Sequence, residues 1–108
     1  MLARRVRWDW HDGSRIDVLD EHDRVIHTLD KWQTFVFYLA DGNNTIDMII
    51  DSFPRHYKDE TKIPAVYARA IIEAAKSLIE EHHWIEPWDE PDDLAREVAL
   101  PRRDQRRS

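Results

Sequence analysis

Six histidines and 22 carboxylates are the residues of this chain whose types could bind a metal or move protons. Their spacing argues against both. His82 and His83 are adjacent, so on a helix they point about 100° apart and present poor ligand geometry. No H-E-x-x-H or related helical spacing occurs. Asp20, Glu21 and Asp23, around His22, lack the spacing of a calcium loop. The serines are Ser14, Ser52, Ser77 and Ser108, none in a Gly-flanked nucleophile elbow. With two glycines in the whole chain there is no phosphate-cradling loop. The absence of Cys removes thiolate nucleophiles, disulfides and Cys-based zinc sites. No catalytic residue, metal site or cofactor is expected, and the chain reads as a non-enzyme.

The remaining chemistry is that of the backbone and of apolar surface, so the elements that would present them matter most. Val6, Trp8 and Trp10 alternate with Arg7 and Asp9, the period-2 pattern of a half-buried strand. His11-Asp12-Gly13-Ser14 is tight-turn chemistry. Ile16 and Val18 flank Asp17 in a second strand, Asp20 to Asp23 makes a polar turn, and Arg24 to Leu29 is a third strand rich in β-branched residues. Three strands with two short connections predict an antiparallel meander. The period then changes. Asp30 caps a helix carrying Trp32, Phe35, Val36 and Leu39, and Asp41-Gly42-Asn43-Asn44 stops it. Asn44 or Thr45 caps a second helix with a stripe of Ile46, Ile49, Ile50 and Phe53, ending near Pro54. After a charged loop over 58–62, Pro64 opens a third helix running to about His82.

That third helix is apolar over an unusually wide surface. Ile63, Val66, Ala70, Ala74 and Ser77 form one line, Tyr67, Ile71, Ala74 and Leu78 a second, and Ala68, Ile72, Ala75 and Ile79 a third. A helix packed on one side needs a stripe of only about 100°. The extra coverage implies either enclosure within the domain or contact with a partner. Trp84, Ile85 and Trp88 are expected to fold back over the core. The domain is therefore placed at residues 1–88, with 89–108 a polar, flexible extension that could hold a short helix from Asp92 to Ala99.

Charge narrows the partner. The net charge is −6 in 108 residues. The last seven residues hold four Arg against Asp104, an excess of +3 that leaves about −9 elsewhere. An acidic body opposes phosphate binding. Two helices and a longer third beside a meander also describe a winged helix-turn-helix, which makes a DNA-binding regulator the alternative. Its reading helix would expose Arg69, Glu73, Lys76, Glu80 and Glu81, a net −1 that phosphates repel. No run of about 20 apolar residues and no signal-peptide segment occurs, so a cytoplasmic location without membrane contact is expected. The third strand ends the meander, and its unpaired N–H and C=O groups can accept an extended peptide.

Val25-Ile26-His27-Thr28-Leu29-Asp30, followed by Leu39-Ala40-Asp41-Gly42-Asn43-Asn44-Thr45-Ile46, resembles the PqqD-like family, which includes the recognition elements of ribosomally made, post-translationally modified peptides. The shared pattern is a strand ending in Leu-Asp, a helix ending in Leu-x-Asp-Gly, and Thr-hydrophobic opening a helix with an aromatic near its end, here Phe53 and Tyr57. Leu78-Ile79 and Trp84-Ile85 match the end of the third helix and the apolar pair after it. The resemblance covers about Val6 to Ile85. The family often has Gly where His83 stands, and because a left-handed helix end suits His less well, a different cap is expected here.

The resemblance implies an α+β, winged helix-turn-helix-like fold: a three-stranded antiparallel meander followed by three helices. It implies a non-catalytic peptide chaperone that binds the leader segment of a precursor peptide by strand addition. The chaperone then presents the peptide to a modifying enzyme, in many members a radical S-adenosylmethionine maturase. The receiving strand would be Arg24, Val25, Ile26, His27 and Thr28. The groove wall would be drawn from Tyr67, Ala68, Ile71, Ile72, Ala75 and Leu78.

Overall fold

The computed structural model describes residues 1–57, 63–88 and 92–105; the loop expected over 58–62 and the end of the basic tail at 106–108 lie outside them. The protein is α+β, with two antiparallel three-stranded sheets around a helical core. The strands are β1 (Leu2–Arg4), β2 (Trp8–Trp10), β3 (Ile16–Leu19), β4 (Val25–Thr28), β5 (Asp41–Asn44) and β6 (Ile85–Pro87). The helices are α1 (Lys31–Leu39), α2 (Ile46–His56), α3 (Pro64–Lys76), α4 (Asp93–Glu97) and α5 (Arg102–Gln105), and a π-helical turn, Ser77–Glu81, continues α3.

One sheet is the meander β2-β3-β4, in which Trp8 faces Val18 and Val18 faces His27 across the strands. Its turns are closed by side chains. Asp12 accepts from the Ser14 and Arg15 amides, and Asp20 from the His22 and Arg24 amides. The Arg24 amide is the largest of the contacts that hold the Asp20 carboxyl below its ordinary range.

The second sheet, ordered β5-β1-β6, joins three distant segments. Its strand β5 is the Asp41-Gly42-Asn43-Asn44 stretch, read from sequence only as a helix stop. Gly42 has φ +89 there, the left-handed region that glycine enters without a Cβ penalty. The chain thus leaves α1, turns, and pairs at once with β1.

Both α1 and α2 begin with reciprocal caps. Asp30 accepts from the Gln33 amide at 2.8 Å while Gln33 Oε1 accepts from the Asp30 amide. Thr45, not Asn44, caps α2 by accepting from the Met48 amide at 3.2 Å. Pro54 lies inside α2, which continues to His56. The core runs from Trp8, Ile16, Val18 and Leu29 through Phe35, Phe37, Ile49 and Phe53 to Ile71, Leu78 and Ile85.

The helix end after the π turn is left-handed after all. His83 has φ 56, and the Trp84 amide donates to the Leu78 carbonyl at 2.9 Å, closing the terminus one residue wider than in an ordinary α-helical cap. A side chain in this region costs about 1 kcal/mol relative to glycine. His83 is exposed, so His83→Gly should raise stability by about 1 kcal/mol, read as a higher urea midpoint at unchanged slope; an unchanged or lower midpoint would show that the ring makes up for the strain.

Residues 92–105, read from sequence as part of a flexible extension, are placed against the meander. Val98 is buried, and its carbonyl accepts from Trp8 Nε1 at 2.8 Å. Arg102 Nε donates to Asp23 in the β3–β4 turn at 2.9 Å, and Arg103 bonds Asp9 and the Trp10 carbonyl. Asp92 caps α4 and takes both oxygens to Arg5. Arg4 ties three parts of the chain together. Its buried guanidinium donates to the carbonyls of Phe37 and Tyr38 at the end of α1, and to Ala99. Burial pulls its pKa below the ordinary arginine value.

Candidate functional site

The meander has two outer edges, and only one is screened among the described residues. β2 is flanked by the 92–105 segment through the contacts just given. β4 is last in the sheet order, with no strand on its outer side among the described residues. The backbone polarity of β4 follows from one bond: the Leu29 amide donates to the Ile16 carbonyl at 2.8 Å. In an antiparallel ladder the hydrogen-bonding direction alternates, so Leu29 and His27 turn their N–H and C=O groups to β3, while Thr28 turns its own to the open edge. The register shift between Val18 and Leu19 leaves Ile26 as the unpaired extra residue, between His27 opposite Val18 and Val25 opposite Leu19.

The side chains of this strand divide accordingly. Arg24 is exposed and is held by Asp20 at 3.0 Å. Val25 is 56% and Ile26 52% exposed, unusual for β-branched apolar residues in a strand. Thr28 Oγ1 donates to Asp17 at 2.6 Å, so its side chain is anchored although its amide faces outward. The His27 ring turns toward the end of the third helix, where its centroid lies 5.6 Å from that of His82 and 5.5 Å from that of Trp84.

The expected groove wall separates into three fates. Tyr67, Ile71 and Leu78 face the core and are buried. Ala68 is partly covered, Ala75 is buried and Ile72 is 44% exposed. Ile72 and Ala75 line a different cleft, against β1, β6 and the start of α2. The face of α3 beside the start of α1 carries Ala70, Ala74 and Ser77, from the first of the three apolar lines, with Glu73. Together with Asp30, Trp32 and Gln33 it bounds a shallow cleft of about 400 Å³. Gln33 Nε2 bridges the two walls to Ser77 Oγ at 3.4 Å. This cleft is lined by a different face of α3 from the six residues named above, and the face is more polar. The signal was present in the sequence, in the Ile63–Val66–Ala70–Ala74–Ser77 line. Its small residues leave room beside the helix, whereas the larger Tyr67, Ile71 and Leu78 are the ones the core takes.

Among the described residues no group of three or more His, Asp or Glu is placed to hold a metal, and no helix is long and apolar enough to cross a membrane. Comparison with protein-family models, curated proteins and solved structures finds no match.

Proposed function

We propose that this chain is a non-catalytic recognition module of winged-helix type that acts in the cytoplasm. It binds the leader segment of a ribosomally made precursor peptide as an added strand on β4. It then presents the peptide to a modifying enzyme, of the radical S-adenosylmethionine class by the family resemblance. One observation carries the reading: β4 exposes Val25 and Ile26 on an unpaired edge while the opposite edge of the same sheet is covered. Ladder bonds supply affinity that tolerates sequence variation, and the cleft between Asp30, Trp32 and α3 supplies selectivity. A leader that is disordered when free loses affinity to the cost of ordering, so dissociation constants on the order of micromolar are expected.

The test is amide hydrogen exchange with synthetic leaders from precursor genes beside the gene for this chain. Strand addition predicts new protection at Ile26 and Thr28. The DNA-binding alternative predicts a salt-dependent gel shift of duplex DNA and protection on α3 instead. Its exposed face makes that a poor fit, because Arg69 is already engaged by Glu73 at 3.3 Å.

A further inference from the structure

On the side of α3 away from the cleft by Asp30 and Trp32 lies a second cleft, of about 510 Å³, bounded by Met1, Leu2, Ile46, Ile72, Ile79 and Pro87. Lys76 is the one charged side chain in its lining, and the Met1 ammonium is engaged by the Trp88 carbonyl at 3.2 Å. We propose that this cleft binds an aliphatic monocarboxylate, its methylene chain along the apolar walls and its carboxylate on Lys76. The volume falls within the roughly 300–1,000 Å³ of small-ligand pockets, and the composition has the usual form of apolar walls with few polar groups. The Thr45 hydroxyl at the margin already accepts from the Met48 amide. Lys76 is exposed and makes no ion pair or hydrogen bond among the described residues, so its ammonium is available to an incoming anion. A single cation neutralises a monoanion and leaves a phosphate dianion half-compensated, which selects the carboxylate. In a chain of net charge −6, apolar burial supplies most of the affinity and Lys76 sets the preferred sign of the head group. The site does not depend on the β4 edge.

The experiment titrates the full chain with hexanoate, octanoate and decanoate, and with decanol and decyltrimethylammonium, all below their micelle concentrations and followed by amide chemical shifts. Affinity should rise about fourfold per added methylene, with decanoate bound about tenfold more tightly than the cation. Lys76→Gln should weaken decanoate about tenfold and leave decanol unchanged, and Ile72→Asp should weaken both. The two substitutions are at exposed positions, and circular dichroism checks the fold. Equal affinity for decanoate and the cation, or no saturable shift at Ile72 and Ile79, overturns the proposal. So does a wild-type dimer in sedimentation that Ile72→Asp dissociates, since a second copy would then fill the cleft.

Discussion

Replacing Ile26 with proline is expected to abolish leader capture while leaving the meander intact. Ile26 is the residue that the register shift leaves without a partner on β3, so proline there replaces no paired residue of the ladder. On the outer side it removes a ladder bond to the incoming strand and leaves the peptide carbonyl opposite without a donor. The lost bond and the stranded carbonyl together come to about 3 kcal/mol, or roughly a hundredfold in affinity. Proline is tolerated at a sheet edge whose N–H faces solvent, which is why the fold should survive. Two comparisons make the result specific. His27→Pro should unfold the sheet, because that amide faces β3. Ile26→Ala should have a small effect on binding, because the ladder and not the side chain carries the affinity. Calorimetry with a cognate leader reads all three. Wild-type binding by a folded Ile26→Pro variant would sink strand addition on β4.

The largest expected loss of stability is at Phe53. Its ring is fully buried and meets those of Trp32 at 5.0 Å, Phe35 at 5.6 Å, Tyr57 at 5.0 Å and Tyr67 at 4.9 Å, joining α1, α2 and α3 at one point. Lys31 adds its ammonium over the Trp32 and Tyr57 rings. Truncating a buried Phe costs about 3–5 kcal/mol through lost transfer energy and an unfilled cavity. Domains of this size are stable by roughly 5–15 kcal/mol, so Phe53→Ala should remove a large share. At a few degrees per kcal/mol, the melting temperature should fall by about 15–25 °C. Phe53→Leu keeps most of the volume and should lose less than half as much. A loss below about 1 kcal/mol for Phe53→Ala, by urea unfolding, would mean that the cluster is not the joint between the helices.

How much of this could be read from the residues depends on the range over which each signal acts. The strands of the meander announce themselves locally, by the alternation around Asp9 and Asp17 and by Asp12-Gly13. The starts of α1 and α2 are equally local, because Asp30 and Thr45 bond their own helices. The β5-β1-β6 sheet is not local. Its three strands of three or four residues are too short to show a period, lie far apart in the chain, and include a segment rich in turn formers. The packing of residues 92–105 is hidden for a related reason. One buried valine, one carbonyl and the contacts of four arginines (Arg4, Arg5, Arg102 and Arg103) secure it, and none of these gives an apolar stripe. For the proposed site, the strand β4 is signalled locally, whereas the face of α3 that borders the cleft by Asp30 and Trp32 is not. Three apolar lines on α3 serve the core and two clefts, and only the tertiary arrangement says which line meets which.

The covering of one meander edge by the Arg102–Arg103 segment has a further effect, on stoichiometry. A sheet with two free edges can take a strand on each side, and a copy that both donates and accepts can propagate into a chain of indefinite length. With β2 covered by residues 98–103, growth would stop after a single addition at β4. On the proposed strand addition the segment would act as a chain terminator for assembly: it would hold the ratio at one peptide to one protein and keep the exposed β4 edge from seeding a fibre.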